Sequence, residues 1–372
     1  MNFEYSEEQQ QLADSLRKYL GNEYDFEKRK AIVKSEAGVS ETVWSAFAEM
    51  GLTAIAVPET EGGFGGGAVD LMAAMEACGE ALVVEPLLDT IGLATRLVSR
   101  QGSEAQRAAL LPHLADGSLR IAVATLEPGR RYALDAQATT ARAQAGGWVI
   151  DGRKSVVIGA PSAAKLIVSA RTATGTSLFL IDAGSPGLTL KACRTVDGQR
   201  AADLILSGVK VGADAMLGAE GTGLDALDDA VDFATALLCA DAIGAMKFAN
   251  DTTLEYIKTR KQFGVAIGSF QALQHRMVDM MVVTEQARSM AIYAAAKVDG
   301  AADAQERRRA VSMAKVKVAD ACRHVSQESV QLHGGMGMTE EMKVSHAFRR
   351  LTMLAQRFGD ADHHLERIVA LG

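Results

Sequence analysis

From Gly223 to Gly372 the chain contains no proline, although six occur before it. Proline breaks a helix because it lacks the amide donor and its ring collides with the preceding turn, so this whole stretch is open to long helices. Residues 224–258 support one uninterrupted helix of about 35 residues, roughly three times the ~11 to 12 of an average globular helix. A helix of that length needs neighbours along its side. Further helical stretches at residues 271–297, 304–331 and 342–357 supply them, and residues 219–372 read as a C-terminal four-helix bundle.

Residues 1–117 also read as helical, but in shorter pieces. Ser6 and Gln9 have the spacing of a capping box, and Leu12, Leu16, Tyr19 and Leu20 follow at helical intervals. Helices are expected at residues 41–50, 68–83, 87–101 and 104–111, with a Pro58 and glycine-rich loop between the first two of these. From about Arg120 the period changes to short apolar runs at residues 121–126, 148–150, 155–158, 166–169, 177–181, 188–190 and 204–211. Asp151-Gly152 between two such runs predicts a hairpin turn. The expected fold is α+β and multidomain: an N-terminal α-helical domain (1–117), a middle antiparallel β-sandwich or barrel (118–218) and the C-terminal bundle (219–372).

Composition excludes several functions. Lys and Arg total 39 against 46 Asp and Glu, so no basic excess draws in a phosphate backbone and nucleic acid is not an expected partner. Cys78, Cys193, Cys239 and Cys322 form no Cys-x-x-Cys pair, which argues against structural zinc and fits a reducing compartment. The acidic first residues do not look like an export signal, no run of 18 apolar residues occurs, and a cytoplasmic location is expected. Residues 63–68 formally satisfy the Gly-x-Gly-x-x-Gly/Ala dinucleotide pattern, yet Pro58 precedes them and no βαβ unit surrounds them, so a loop turn is the better reading. The seven histidines show no metal-binding pair with i, i+4 spacing, and neither a nucleophile elbow nor a P-loop occurs.

Two turns in the bundle carry more information. Arg260-Lys261-Gln262-Phe263-Gly264 closes the long helix, and Gln331-Leu332-His333-Gly334-Gly335-Met336-Gly337 closes another. A forked guanidinium and a glycine-lined backbone suit a diphosphate, while the plain alternatives are a solvated arginine at a turn and an ordinary helix cap. With Leu126-Glu127-Pro128-Gly129 and the α–β–α order, these turns resemble the flavin-dependent acyl-CoA dehydrogenase family over essentially the whole chain. The resemblance implies FAD, an acyl-CoA thioester as substrate and an electron-transfer flavoprotein as acceptor. It also implies that Arg260, Phe263, Gln331 and Gly335 contact the ADP portion of a flavin whose ring lies in a neighbouring subunit.

The chain departs from the family pattern at the ring and at the base. Leu126 stands where the family has a threonine that bonds the flavin, and Val156-Val157-Ile158 stands for Trp-Ile-Thr. Taking the α-proton of a thioester needs a carboxylate; the usual glutamate position, nine residues after Arg350, is Gly359, and the alternative early in the long helix is Ala234. Asp360, one residue on, and Asp241 are the substitute candidates. The ending Phe-Gly-Asp-Ala-Asp-His-His resembles the small, base-lacking subunit of bacterial heterotetrameric acyl-CoA dehydrogenases, which act on bulky or dicarboxylic thioesters such as sterol side chains. The leading expectation is a subunit that lends ADP contacts to a catalytic partner chain. A self-sufficient homotetramer using Asp360 or Asp241, and a flavin-free structural subunit, are the alternatives.

Overall fold

The computed structural model describes residues 5–135 and 138–372. The chain forms two compact units, each gathered from separate stretches: one from the residues up to Lys30 with 68–83 and 235–372, the other from 31–67 with 84–234.

Helix α1 (Glu7–Glu23) starts at the capping box: the Gln9 amide donates to the Ser6 hydroxyl and the Ser6 amide to the Gln9 side chain. Leu16 and Leu20 are the buried side of its stripe. Then come α2 (Phe26–Lys34), which the periodicity did not announce, α3 (Glu41–Glu49) and α4 (Ala68–Glu80). The segment expected as one helix over 87–101 begins as a π-helical stretch, Leu88–Ala94, and continues as α5 (Thr95–Gln101), ahead of α6 (Glu104–Ala115).

The middle region is one sheet of eight strands: β1 (Ile121–Ala124), β2 (Thr140–Gln144), β3 (Gly147–Ile158), β4 (Lys165–Arg171), β5 (Thr176–Asp182), β6 (Leu188–Arg194), β7 (Arg200–Gly212) and β8 (Met216–Leu217). The order is β6-β7-β3-β2-β4-β5-β8, largely antiparallel, with β1 added parallel to β4. Ile150, Val168, Phe179 and Leu204 fill its core.

The hairpin expected at Asp151-Gly152 is not there. Strand β3 runs straight through both residues, and the turn lies one short step earlier, between Gln144 and Gly147. Gly152 serves the other use of a glycine in a strand, a register shift against β7. Its φ is +151°, and a Cβ there would sit 2.6 Å from Thr139.

The long helix is α7 (Gly223–Thr259), two residues beyond the expected span taken over both ends. A two-strand hairpin, β9 (Lys261–Gln262) and β10 (Val265–Ala266), leads to α8 (Gln271–Gly300), α9 (Ala304–His333), α10 (Lys343–Gln356) and α11 (Ala361–Ala370). Helix α9 packs against α8, α10 and α11. Within the same unit α4 and α7 cross at backbone contact: a Cβ on Gly244 would lie 1.9 Å from the Glu76 carbonyl oxygen, and one on Gly79 2.1 Å from that of Asp241. Gly79 and Gly244 therefore mark a packing face, since only residues without a side chain let two backbones come so near. Among the described residues no helix is long and apolar enough to cross a membrane.

Candidate functional site

The two informative turns lie at the same end of the bundle. After α7 the Arg260 amide donates to the Tyr256 carbonyl (2.8 Å) and the Ile267 amide to the Arg260 carbonyl (2.9 Å), which closes the loop around the hairpin. Phe263 (φ +53°) and Gly264 (φ +82°) make its turn, two successive left-handed residues as a tight hairpin demands. That backbone turns the Phe263 ring outward, 91% exposed, with the ring of Phe270 edge-on to it at 6.1 Å. Arg260 is exposed too.

Helix α9 ends at His333, and Gly334 (φ +61°) starts the turn through Met338. Gln331 and Gly335 are exposed, and a Cβ placed on Gly334 or Gly335 meets nothing within 4 Å. Tyr256 binds the two turns together: its ring stacks on His333 at 4.2 Å, and its hydroxyl donates to the His333 carbonyl at 3.3 Å. Arg260, Phe263, Gln331 and Gly335 are thus all exposed, on two turns that Tyr256 joins.

The turn between α10 and α11 holds Gly359, where the family resemblance implies a base. Phe358 (φ +61°) and Gly359 (φ +116°) are both left-handed, and a Cβ on Gly359 would fall 2.5 Å from the His363 ring and 2.7 Å from His364 Nε2. The carbonyls of Leu354, Ala355 and Gly359 each accept from Lys315 Nζ at 2.9 Å. Lys315 is fully buried, and burial pushes its ammonium down to about 8. His364 bridges Ser312 Oγ and the Phe358 carbonyl at 3.1 Å each, and burial followed by the nearby Lys315 charge holds it far below the ordinary imidazole range.

Asp360 accepts from the His363 amide at 2.9 Å as the N-cap of α11. Asp241, buried on α7, is ion-paired with Arg350 of α10. Ala234 is fully buried.

In the other unit Glu127 organises the loop after β1. Its carboxylate accepts from the Ala138 and Thr139 amides and from Lys154 Nζ (2.8 Å), which also donates to Ser169 Oγ (2.9 Å). Burial raises this carboxyl, but Lys154 and the two amides outweigh it and leave it below the usual carboxylate range. The Ser155 amide donates to the Leu126 carbonyl at 2.8 Å, so Leu126 lies against the strand that bears Val156. Val156 is left-handed (φ +50°) and 44% exposed, with its amide on Asp203 Oδ1, whereas Val157 and Ile158 are buried. A β-branched residue at positive φ is a backbone outlier.

Three family models cover nearly the whole chain: the acyl-CoA dehydrogenase N-terminal domain over residues 6–118, the middle domain over 122–209 and the C-terminal domain over 221–370. Acyl-CoA dehydrogenase FadE12 of Mycobacterium tuberculosis is 30% identical over 92% of this chain and 90% of its own length. The chain is a member of the acyl-CoA dehydrogenase family. Among solved structures, the Tcur3481-Tcur3483 steroid ACAD variant is 31% identical with a TM-score of 0.89, covering 98% of this chain and 97% of that one. The ChsE4-ChsE5 complex from Mycobacterium tuberculosis matches at 26% identity and a TM-score of 0.91, covering 100% and 98%. PigA, solved as its FAD complex, matches equally well at 26% and 0.91, again over 100% and 98%.

The buried polar groups of this acyl-CoA dehydrogenase leave little trace in its residue pattern. Lys315 follows Val311 and precedes Val318 and Cys322 on the buried stripe of α9, and a lysine in an apolar stripe is the signal that could have found it. Lys154, three residues after Asp151, is fully buried in β3. His364 carries no sequence signal, because its partners come from another helix and from a turn.

Proposed function

We propose that this chain is the subunit of an FAD-dependent acyl-CoA dehydrogenase that lends the ADP-side contacts of the cofactor to a catalytic partner chain and has no base of its own. The observation that carries the reading is the turn at Gly359. No side chain fits there without displacing His363 and His364, and the carbonyl is committed to Lys315. Asp360 is engaged as a helix cap and Asp241 as the partner of Arg350. A base must reach the substrate proton with its carboxylate available. Arg260, Phe263, Gln331 and Gly335 support the other half of the proposal, since they face outward rather than into a cavity of this chain.

FAD, when bound, supplies the acceptor for the β-hydride. On this reading Arg260 offers a guanidinium to the diphosphate, the open Gly334-Gly335 backbone lets it approach, and Phe263 offers a ring face to the adenine. The likeness to a steroid ACAD and to the ChsE4-ChsE5 complex favours a hetero-oligomer acting on bulky acyl-CoA thioesters in the cytoplasm, with an electron-transfer flavoprotein as acceptor.

The test is flavin stoichiometry. The chain purified alone should carry little FAD and reduce no acceptor with acyl-CoA, whereas co-expression with its catalytic partner should yield a flavin-loaded, active complex. About one FAD per chain with turnover in the isolated protein would instead establish a self-sufficient oligomer.

A further inference from the structure

Imidazoles hold the turn after α9 from both sides. On the N-terminal side His333 is buried and its Nδ1 lies 2.7 Å from the Ser329 carbonyl oxygen. A carbonyl can only accept, so this partner assigns the proton to Nδ1 and leaves Nε2 with its lone pair. That Nε2 is buried and has no hydrogen-bond partner among the described residues. On the C-terminal side His346, in α10, has the reverse assignment. Its Nδ1 faces Arg29 Nη1 at 3.1 Å, which only donates, and its Nε2 faces the Glu340 carbonyl oxygen at 3.1 Å, which only accepts. Arg29 is itself buried and anchored on the Leu82 carbonyl at 2.7 Å. Arg349 grips the carboxylate of the same Glu340 with two bonds, 2.8 and 3.0 Å.

We propose that His333 and His346, held as opposite tautomers, are positioning residues that fix residues 334–340, and with them Gln331 and Gly335, in the conformation that receives the diphosphate side of FAD. The proposal rests on the assignment of that surface to the cofactor made above. A proton added to either ring is costly: it leaves a buried N–H without an acceptor on His333 and removes the Arg29 bond on His346. On His333 it arrives at Nε2, where nothing accepts it; on His346 it arrives at Nδ1, against the Arg29 guanidinium.

The charged surroundings agree. Burial lowers His333, against the Ser329 carbonyl. Burial also lowers His346; the Glu340 carbonyl opposes this, Arg29 and Arg349 add to it, and the Glu340 carboxylate, with Oε2 at 3.5 Å, opposes it weakly. Both folded values lie below the ordinary ~6.5, so the turn is held at neutral pH and released as pH falls through them.

The experiment uses the assembled complex with its catalytic partner. FAD dissociation is measured from about pH 8 to about pH 5, together with amide hydrogen exchange of residues 334–342, corrected for intrinsic rates. Wild type should lose about tenfold in FAD affinity on acidification, with exchange rising at the same midpoint. His333→Asn keeps a donor at the δ position, and His346→Gln keeps one at the ε position. Each should bind FAD near wild type at neutral pH and flatten part of the profile, whereas His333→Leu should lose about tenfold throughout.

Arg260→Ala is the control: it should weaken FAD at every pH and leave the exchange unchanged. If Arg260→Ala weakens FAD while neither the exchange nor the affinity depends on these histidines, the positioning role is overturned and the cofactor surface stands. If FAD retention ignores Arg260 as well, the cofactor surface itself is wrong.

Discussion

Placing a glutamate at Gly359 is the most direct challenge to the proposal, because it supplies a carboxylate where the family resemblance implies one. The geometry argues that this chain will not accept it. Gly359 sits at φ +116°, which an L side chain reaches only at a cost of about 1 to 3 kcal/mol. Its Cβ would also stand 2.5 Å from His363 Cδ2 and 2.7 Å from His364 Nε2. His364 cannot move away freely, since it bridges Ser312 and the Phe358 carbonyl; breaking one of those bonds adds about 1 kcal/mol. The expected loss is therefore about 2 to 4 kcal/mol, carried by the backbone and Cβ, so Gly359→Ala should cost nearly as much as Gly359→Glu. Urea unfolding of wild type and both variants measures it. Single-turnover bleaching of flavin by a panel of acyl-CoA esters, in the partnered complex, measures any gain of chemistry. A Gly359→Glu protein as stable as wild type would refute the packing argument, and one whose own site bleaches flavin would refute the reading that this chain lends only ADP-side contacts.

Three further outcomes are expected. Arg260→Ala should weaken FAD retention in the complex by about 10- to 150-fold, the equivalent of about 1.5 to 3 kcal/mol for a charge-assisted diphosphate contact; unchanged affinity in a folded complex would return Arg260 to an ordinary turn. His364 has a folded value far below that of the unfolded chain, so between the two the unfolded state binds the extra proton. Stability should hold above about pH 6.5 and fall below it by up to about 1.4 kcal/mol per pH unit, a slope that urea midpoints should show reduced in His364→Gln. Lys315 is pushed down to about 8, so the penalty for burying its charge, about 3 kcal/mol, is full below that pH and relieved towards about 10.5. Cys239 and Cys322, raised to about 12, pull the other way above their ordinary value, so the gain is read as the difference between wild type and Lys315→Met.

What the sequence determined by itself was what nearest neighbours along the chain decide. The capping box at Ser6 and the proline-free long helix are local matters: a side chain three residues away, or the lack of a ring that would block a turn, settles them. The two glycine-bearing turns were legible for the same reason, because Gly264 and Gly334 stand where the backbone must turn left-handed.

Asp151-Gly152 misled because a strand held on both flanks overrides a turn preference, and the glycine was absorbed as a register shift against β7. Only the tertiary structure decided what Gly359 means. The family resemblance implies a carboxylate at its position; the packing leaves no room for one, since His363, His364 and Lys315 arrive from α11 and α9 to occupy the space and the carbonyl. The same holds for Asp241, whose role depends on Arg350, 109 residues later. Buried charges and strained turns are balanced by partners distant in sequence, and the chain brings those partners together only when its apolar faces have closed.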